Sequence, residues 1–175
     1  MYYQDAAGRP STDPDLYSRA QAGTYGERLA LADGFDGSAL ANGFSFQGRG
    51  QVAAGSVILA AGAALALPPV KTGRGISVTS RLGAASSRTA VLHAQWEGSS
   101  TQAAEVPLTA DGPQLSFRIA PSGLSITVPA PQGERTVNLP SPVGSDASLL
   151  LKIGNPPDAR SDLVIESILA LASAQ

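Results

Sequence analysis

Leu108–Val128 reads LTADGPQLSFRIAPSGLSITV, and its reading decides the fold class. Leu115, Phe117 and Ile119 alternate with Ser116 and Arg118, and Leu124, Ile126 and Val128 repeat the same period. A period of two puts apolar side chains on one face of an extended strand, whereas a helix would need a period of 3.6. Between the runs stand Asp111-Gly112-Pro113 and Pro121-Ser122-Gly123. These residue types supply the backbone angles, and at proline the missing donor, that tight turns use. Short strands joined by short turns imply antiparallel neighbours.

The same texture extends in both directions. Runs such as SVILA, ALALP, TAVLHAQWE, AAEVPL, RTVNLP and SLLLKIG are separated by Gly, Pro, Asp and Ser. In GISVTSRL, Ile76, Val78, Ser80 and Leu82 face one way and Ser77, Thr79 and Arg81 the other. In LVIESILAL a helical period competes, but alternation of Leu163, Ile165, Ser167 and Leu169 with Val164, Glu166 and Ile168 favours a strand. Strands recurring at this spacing predict an all-β, two-sheet antiparallel sandwich over residues 35–175. Ile76, Val78, Leu115, Phe117, Ile119, Ile126 and Leu151 are its expected core.

Residues 1–34 differ, and the sequence reads as an N-terminal arm containing one or two helical turns. Asp13, Pro14 and Asp15 form a helix start, Gly23 a stop, and Thr24 with Glu27 the spacing of a capping box. All four tyrosines, Tyr2, Tyr3, Tyr17 and Tyr25, lie in this arm. A tyrosine ring is apolar with a polar tip, which suits a docking interface, so the arm is expected to anchor the domain. It docks either on a partner, another copy included, or on an edge of its own sandwich.

Composition excludes several classes. The net charge is −2, the two lysines are Lys71 and Lys152, and no basic patch can be read, which argues against nucleic acid. There is no cysteine, hence no disulfide or thiolate metal site. The opening MYYQDAAGRPSTDPD lacks the basic and apolar regions of a secretory signal, so the expectation is a protein made in the cytoplasm. The most apolar run, Val57–Pro69, falls short of the ~20 residues of a membrane span and reads as buried strand.

The order of these runs resembles the concanavalin A-like, laminin-G-like jelly roll. The segments that carry the likeness are GFDGSALANGF, LALPP, GISVTSRL, VLHAQWEG, LTADGPQLSFRIAPSGLSITV, and the closing pair LLLKIGN and LVIESILAL. The likeness covers roughly residues 35–172 and implies a jelly-roll fold. The superfamily holds lectins, adhesive domains and glucanases, so the fold alone names no activity. The glucanase branch carries closely spaced carboxylates on one strand. Here Glu97 and Glu105 are separated by a serine-rich turn, and Asp111 lies in another. The expectation is therefore a non-enzymatic domain with no catalytic residues and no cofactor.

Candidate binding residues cluster in VLHAQWEG. His93 and Gln95 share one face of the strand and could meet sugar hydroxyls. Trp96, the only tryptophan, is read either as a stacking platform for a sugar ring or as a core residue. Its alternation with Leu92 and Ala94 favours the core. Asn155, Asp158 and Asp162 offer hard oxygen ligands of the type calcium takes, although GNPPDARSD also reads as a stiff solvated turn.

These features lead to three expectations. The favoured one is a structural and attachment protein on the surface of a phage-like particle, a head spike, tail fibre module or decoration of a phage or gene transfer agent. Its partners would be particle proteins or its own copies through the arm, and host surface polysaccharide through the sandwich. The alternatives are a free-standing bacterial carbohydrate-binding or adhesive module and a glycan-cleaving enzyme of the same fold.

Overall fold

A computed structural model describes residues 27–35, 40, 43–71, 75–97, 104–120, 125–128, 135–138 and 148–173. The strands are β1 (Glu27–Asp33), β2 (Ser45–Gln47), β3 (Gly50–Ala53), β4 (Ser56–Leu59), β5 (Ala64–Ala66), β6 (Val70–Lys71) and β7 (Ile76–Leu82). They continue as β8 (Thr89–Trp96), β9 (Ala104–Thr109), β10 (Gln114–Ala120), β11 (Ser125–Val128), β12 (Arg135–Asn138), β13 (Ser148–Gly154) and β14 (Leu163–Ser173). The alternation expected in Leu108–Val128 is the β9–β10–β11 segment. Among the described residues there is no helix.

All ladders are antiparallel and form two sheets. One follows the order β12–β11–β10–β7–β14–β4–β3, with β1 also beside β14. The other follows β2–β5–β13–β8–β9, with β6 also beside β13. Early and late strands interleave in both, which gives a two-sheet jelly-roll sandwich. The seven expected core residues are all buried in one cluster between the sheets.

Each sheet is organised on one long late strand. β13 pairs with β8 along one edge and shares the other between β5 and β6. β14 pairs with β7 along one edge, while its other edge takes β4 at Leu163–Ile165 and β1 from Ile168 to Ser173.

Two local expectations are corrected. Glu27 opens β1, opposite Ser173, so it is not the end of a capping box. A local spacing signal loses here to the ladder bonds on the open half of β14. Asp33 and Phe35 are buried, and Asp33 Oδ1 accepts the Phe35 N–H at 2.8 Å. The sandwich sheet thus begins upstream of residue 35. The helix start at Asp13–Pro14 and the four tyrosines lie outside the described residues.

The second correction concerns β14. Its register against β7 shifts between Ile165 and Ser167. An extra residue at such a bulge swaps the faces of everything beyond it. Ser167 therefore pairs with outward-facing Arg81, and Ile168 pairs with inward-facing Ser80. Ile168 and Ala170 enter the core cluster, whereas Leu169 does not.

Candidate functional site

The outer face of the six-stranded sheet carries the candidate site. Its register sets residues from distant parts of the chain in rows. One row is Gln47, Ala64, Gly154 and Val91, across β2, β5, β13 and β8. The next is Ser45, Ala66, Lys152, His93 and Glu105, reaching β9. Side chains two residues apart on a strand share a face, so both rows look outward.

Where the first row crosses β5, β13 and β8 its residues are small or short: Ala64, Gly154 and Val91. This leaves a groove of about 230 Å³, with Lys152, His93 and Glu105 standing beside that floor and Gln47 at one end. Gly62, Asn155 and Pro157 close the end where β5 begins and β13 finishes.

That end wall is built by hydrogen bonds. Gly62 has φ of 78°, which glycine takes without strain, and its N–H donates to Asn155 O at 3.0 Å and Pro156 O at 3.3 Å. The Asn155 N–H donates to Ala63 O at 2.8 Å. Asn155 Nδ2 donates to Leu59 O at 3.1 Å and Ser161 O at 2.9 Å. One buried asparagine therefore ties both sheets to the loop after β13.

The polar groups divide into two sets. His93 Nδ1 donates to Glu105 Oε1 at 3.4 Å. A carboxylate can only accept, so Nδ1 carries the proton in this contact, and in the neutral ring Nε2 is left as an acceptor. The His93 side chain is 25% exposed and that of Glu105 69%. Lys152 Nζ donates to Gln47 Oε1 at 3.3 Å, so the cation of the groove rests on a neutral amide.

The expected residues fare differently. His93 lines the groove. Gln95 shares its outer face, opposite Leu150, but lies beyond the groove lining. Trp96 is corrected: at 1% exposure it belongs to the core, and a ring with no accessible face cannot stack on a sugar. Strand alternation turns it inward beside Leu92 and Ala94.

The three calcium candidates stand in different surroundings. Asn155 is a buried clamp, Asp158 is exposed on a turn, and Asp162 lines a second groove with Arg49 and Gln51. Among the described residues, no three His, Asp or Glu side chains come together as a metal-binding group.

Lys152 and Gln47 were missed as site residues, and Glu105 was weighed only as an acid. The available signal was Lys152 itself, one of two lysines, at an outward position of the apolar run SLLLKIG.

No protein-family model and no curated protein matches the chain. Solved structures of similar shape include the conserved carbohydrate esterase of the Shiga toxin-encoding bacteriophage phi24B. It is 18% identical, with a TM-score of 0.49 over 85% of this chain and 100% of that one. The CBM2 module of the evolved Dit of Lactobacillus casei BL23 phage J-1 is 8% identical, with a TM-score of 0.49 over 85% and 97%. A glycosyl hydrolase family 16 protein of Mycobacterium smegmatis is 10% identical, with a TM-score of 0.46 over 82% and 100%. At such identities and scores, none of them bears on what this chain does.

Proposed function

We propose that this chain is a non-enzymatic glycan-binding sandwich that serves as an attachment module of a phage-like particle. The observation that carries the reading is the groove on the six-stranded sheet. It has a floor of small or short residues, Ala64, Gly154 and Val91, beside a row of donors and acceptors. Sugar recognition needs this combination, because a pyranose presents C–H groups on its faces and hydroxyls around its rim.

The absence of catalysis is part of the proposal. Glycosidases of the usual kinds use two carboxyl groups flanking one bond, about 5–5.5 Å apart in retaining enzymes and ~6.5–9.5 Å in inverting ones. Among the described lining residues Glu105 is the single carboxylate, and His93 already engages it. Glu97 is exposed at the end of β8, and Asp111 is exposed in the β9–β10 turn. Such an open site binds each sugar weakly, and display in many copies supplies avidity. The arm, with Tyr2, Tyr3, Tyr17 and Tyr25, would hold the copies on particle proteins or on each other.

The test is binding of the full chain, displayed in many copies on beads, to host surface polysaccharide fractions. Retention that is abolished by Gly154→Leu, which fills the floor, is the expected result. Retention unaffected by that variant, or release of reducing ends from the bound polysaccharide, would overturn the reading.

A further inference from the structure

We infer that the groove is selective for acidic glycans, with a sugar carboxylate docking on Lys152; this rests on the glycan-binding reading above. The inference starts from where the charges of one row stand. The row Lys152–His93–Glu105 holds a cation, an imidazole and a carboxylate on three adjacent strands. Glu105 Oε1 accepts one hydrogen bond from His93, at 3.4 Å, and its side chain is mostly exposed. Lys152 is half-buried beside the groove, and its hydrogen bond goes to the neutral Oε1 of Gln47.

A lysine ammonium has three donors, and one is used here. Accepting that bond fixes the Gln47 amide with its carbonyl toward Lys152, which leaves the two N–H donors of its Nε2 for a ligand. An ammonium and an amide N–H₂ side by side suit an anionic oxygen pair, and charge-assisted bonds of this kind are stronger than neutral ones. The floor at Ala64 and Gly154 lies beside them, so a ring resting there can direct a carboxylate substituent at Lys152. The Glu105 carboxylate is two strands away, beyond His93, so it faces the other end of the groove, where it can accept from sugar hydroxyls. The whole chain carries a net charge of −2, so attraction of polyanions in general is not expected. Selectivity comes from this one site.

The experiment uses uronate polysaccharides (polygalacturonate, alginate and hyaluronan), each paired with its carboxyl-reduced neutral form, and dextran sulfate as a sulfated control. The full chain is displayed on beads at fixed density. At least one uronate polymer is expected to bind about tenfold or more tightly than its reduced partner, the worth of one charge-assisted bond. Lys152→Met should remove that preference and Lys152→Arg should keep it. Thermal melting of both variants should match the parent, which separates lost contact from lost fold.

Equal binding of acidic and reduced forms would overturn the inference and leave the glycan-binding reading standing. Binding of dextran sulfate as strong as the best uronate would overturn it in favour of plain charge attraction. No binding of these or of any host polysaccharide would overturn both.

Discussion

The two sheets present outer faces made from similar residue types, yet the polar side chains described on them are answered differently. On the eight-stranded sheet, polar side chains meet each other across strands. Arg81 Nε lies 3.2 Å from Glu166 Oε2, and Ser116 Oγ donates to Thr79 Oγ1 at 3.3 Å. On the six-stranded sheet the corresponding row leaves Lys152 on a neutral amide, and the row beside it shrinks to Ala64 and Gly154. Polar residues on a strand therefore do not make a site by themselves. A site needs room above the backbone and a charge that the protein has not already answered.

The largest expected effect concerns how the eight-stranded sheet is closed. Residues 1–34 were read as an arm outside the sandwich, but β1 occupies half an edge of β14. Removing residues 1–34 strips that strand together with buried Asp33, and exposes an unpaired edge, a template for aggregation. Removing residues 1–26 leaves β1 in place. The longer truncation should lose cooperative melting or precipitate, whereas the shorter one should retain a two-state melt. Equal behaviour of the two in a thermal melt would show that β1 contributes nothing to the sheet.

Trp96→Ala comes next. Emptying the space of a buried tryptophan costs about 3–5 kcal/mol, read as a lower denaturation midpoint. A variant of unchanged stability with lost glycan retention would return Trp96 to the binding face and erase the division between core and groove. Gly154→Ala follows. An added Cβ would sit 3.3 Å from both Ala63 O and Ala64 Cβ, tighter than ordinary contact. About 1–2 kcal/mol of stability should be lost to overpacking, together with a measurable fall in polysaccharide retention.

How far the sequence reached follows from the range of each interaction. Alternation is local, so Ile76, Val78, Leu115, Phe117, Ile119, Ile126 and Leu151 were legible as core. The bulge in β14 was not, because strict alternation through Glu166 and Ser167 gives no sign of an inserted residue. β6 has only two residues and shows no period, and the capping-box spacing at Thr24–Glu27 hid the start of β1. His93 was legible as an outward histidine. The groove was not, since it exists only where Ala64, Gly154 and Val91 fall into register across three strands. Pairing between such distant segments leaves no local mark in a single sequence.

The smallest expected effect tests the contrast between matched and unmatched charge directly. Arg81 and Glu166 are 44% and 40% exposed, so water screens their attraction. A double-mutant cycle with Arg81→Ala and Glu166→Ala should give a coupling of about 0.2–1 kcal/mol in urea unfolding, the range for exposed pairs. The same cycle on Lys152→Met and Glu105→Gln should give a coupling near zero, because His93 stands between the two in the row. The Lys152–Glu105 coupling should thus fall below that of Arg81–Glu166, although Lys152 and Arg81 are both cations on a sheet face. If Lys152 instead couples to Glu105 as strongly as Arg81 does to Glu166, its charge is already answered within the protein. The two faces would then be equivalent electrostatically, and only the small-residue floor would distinguish the groove.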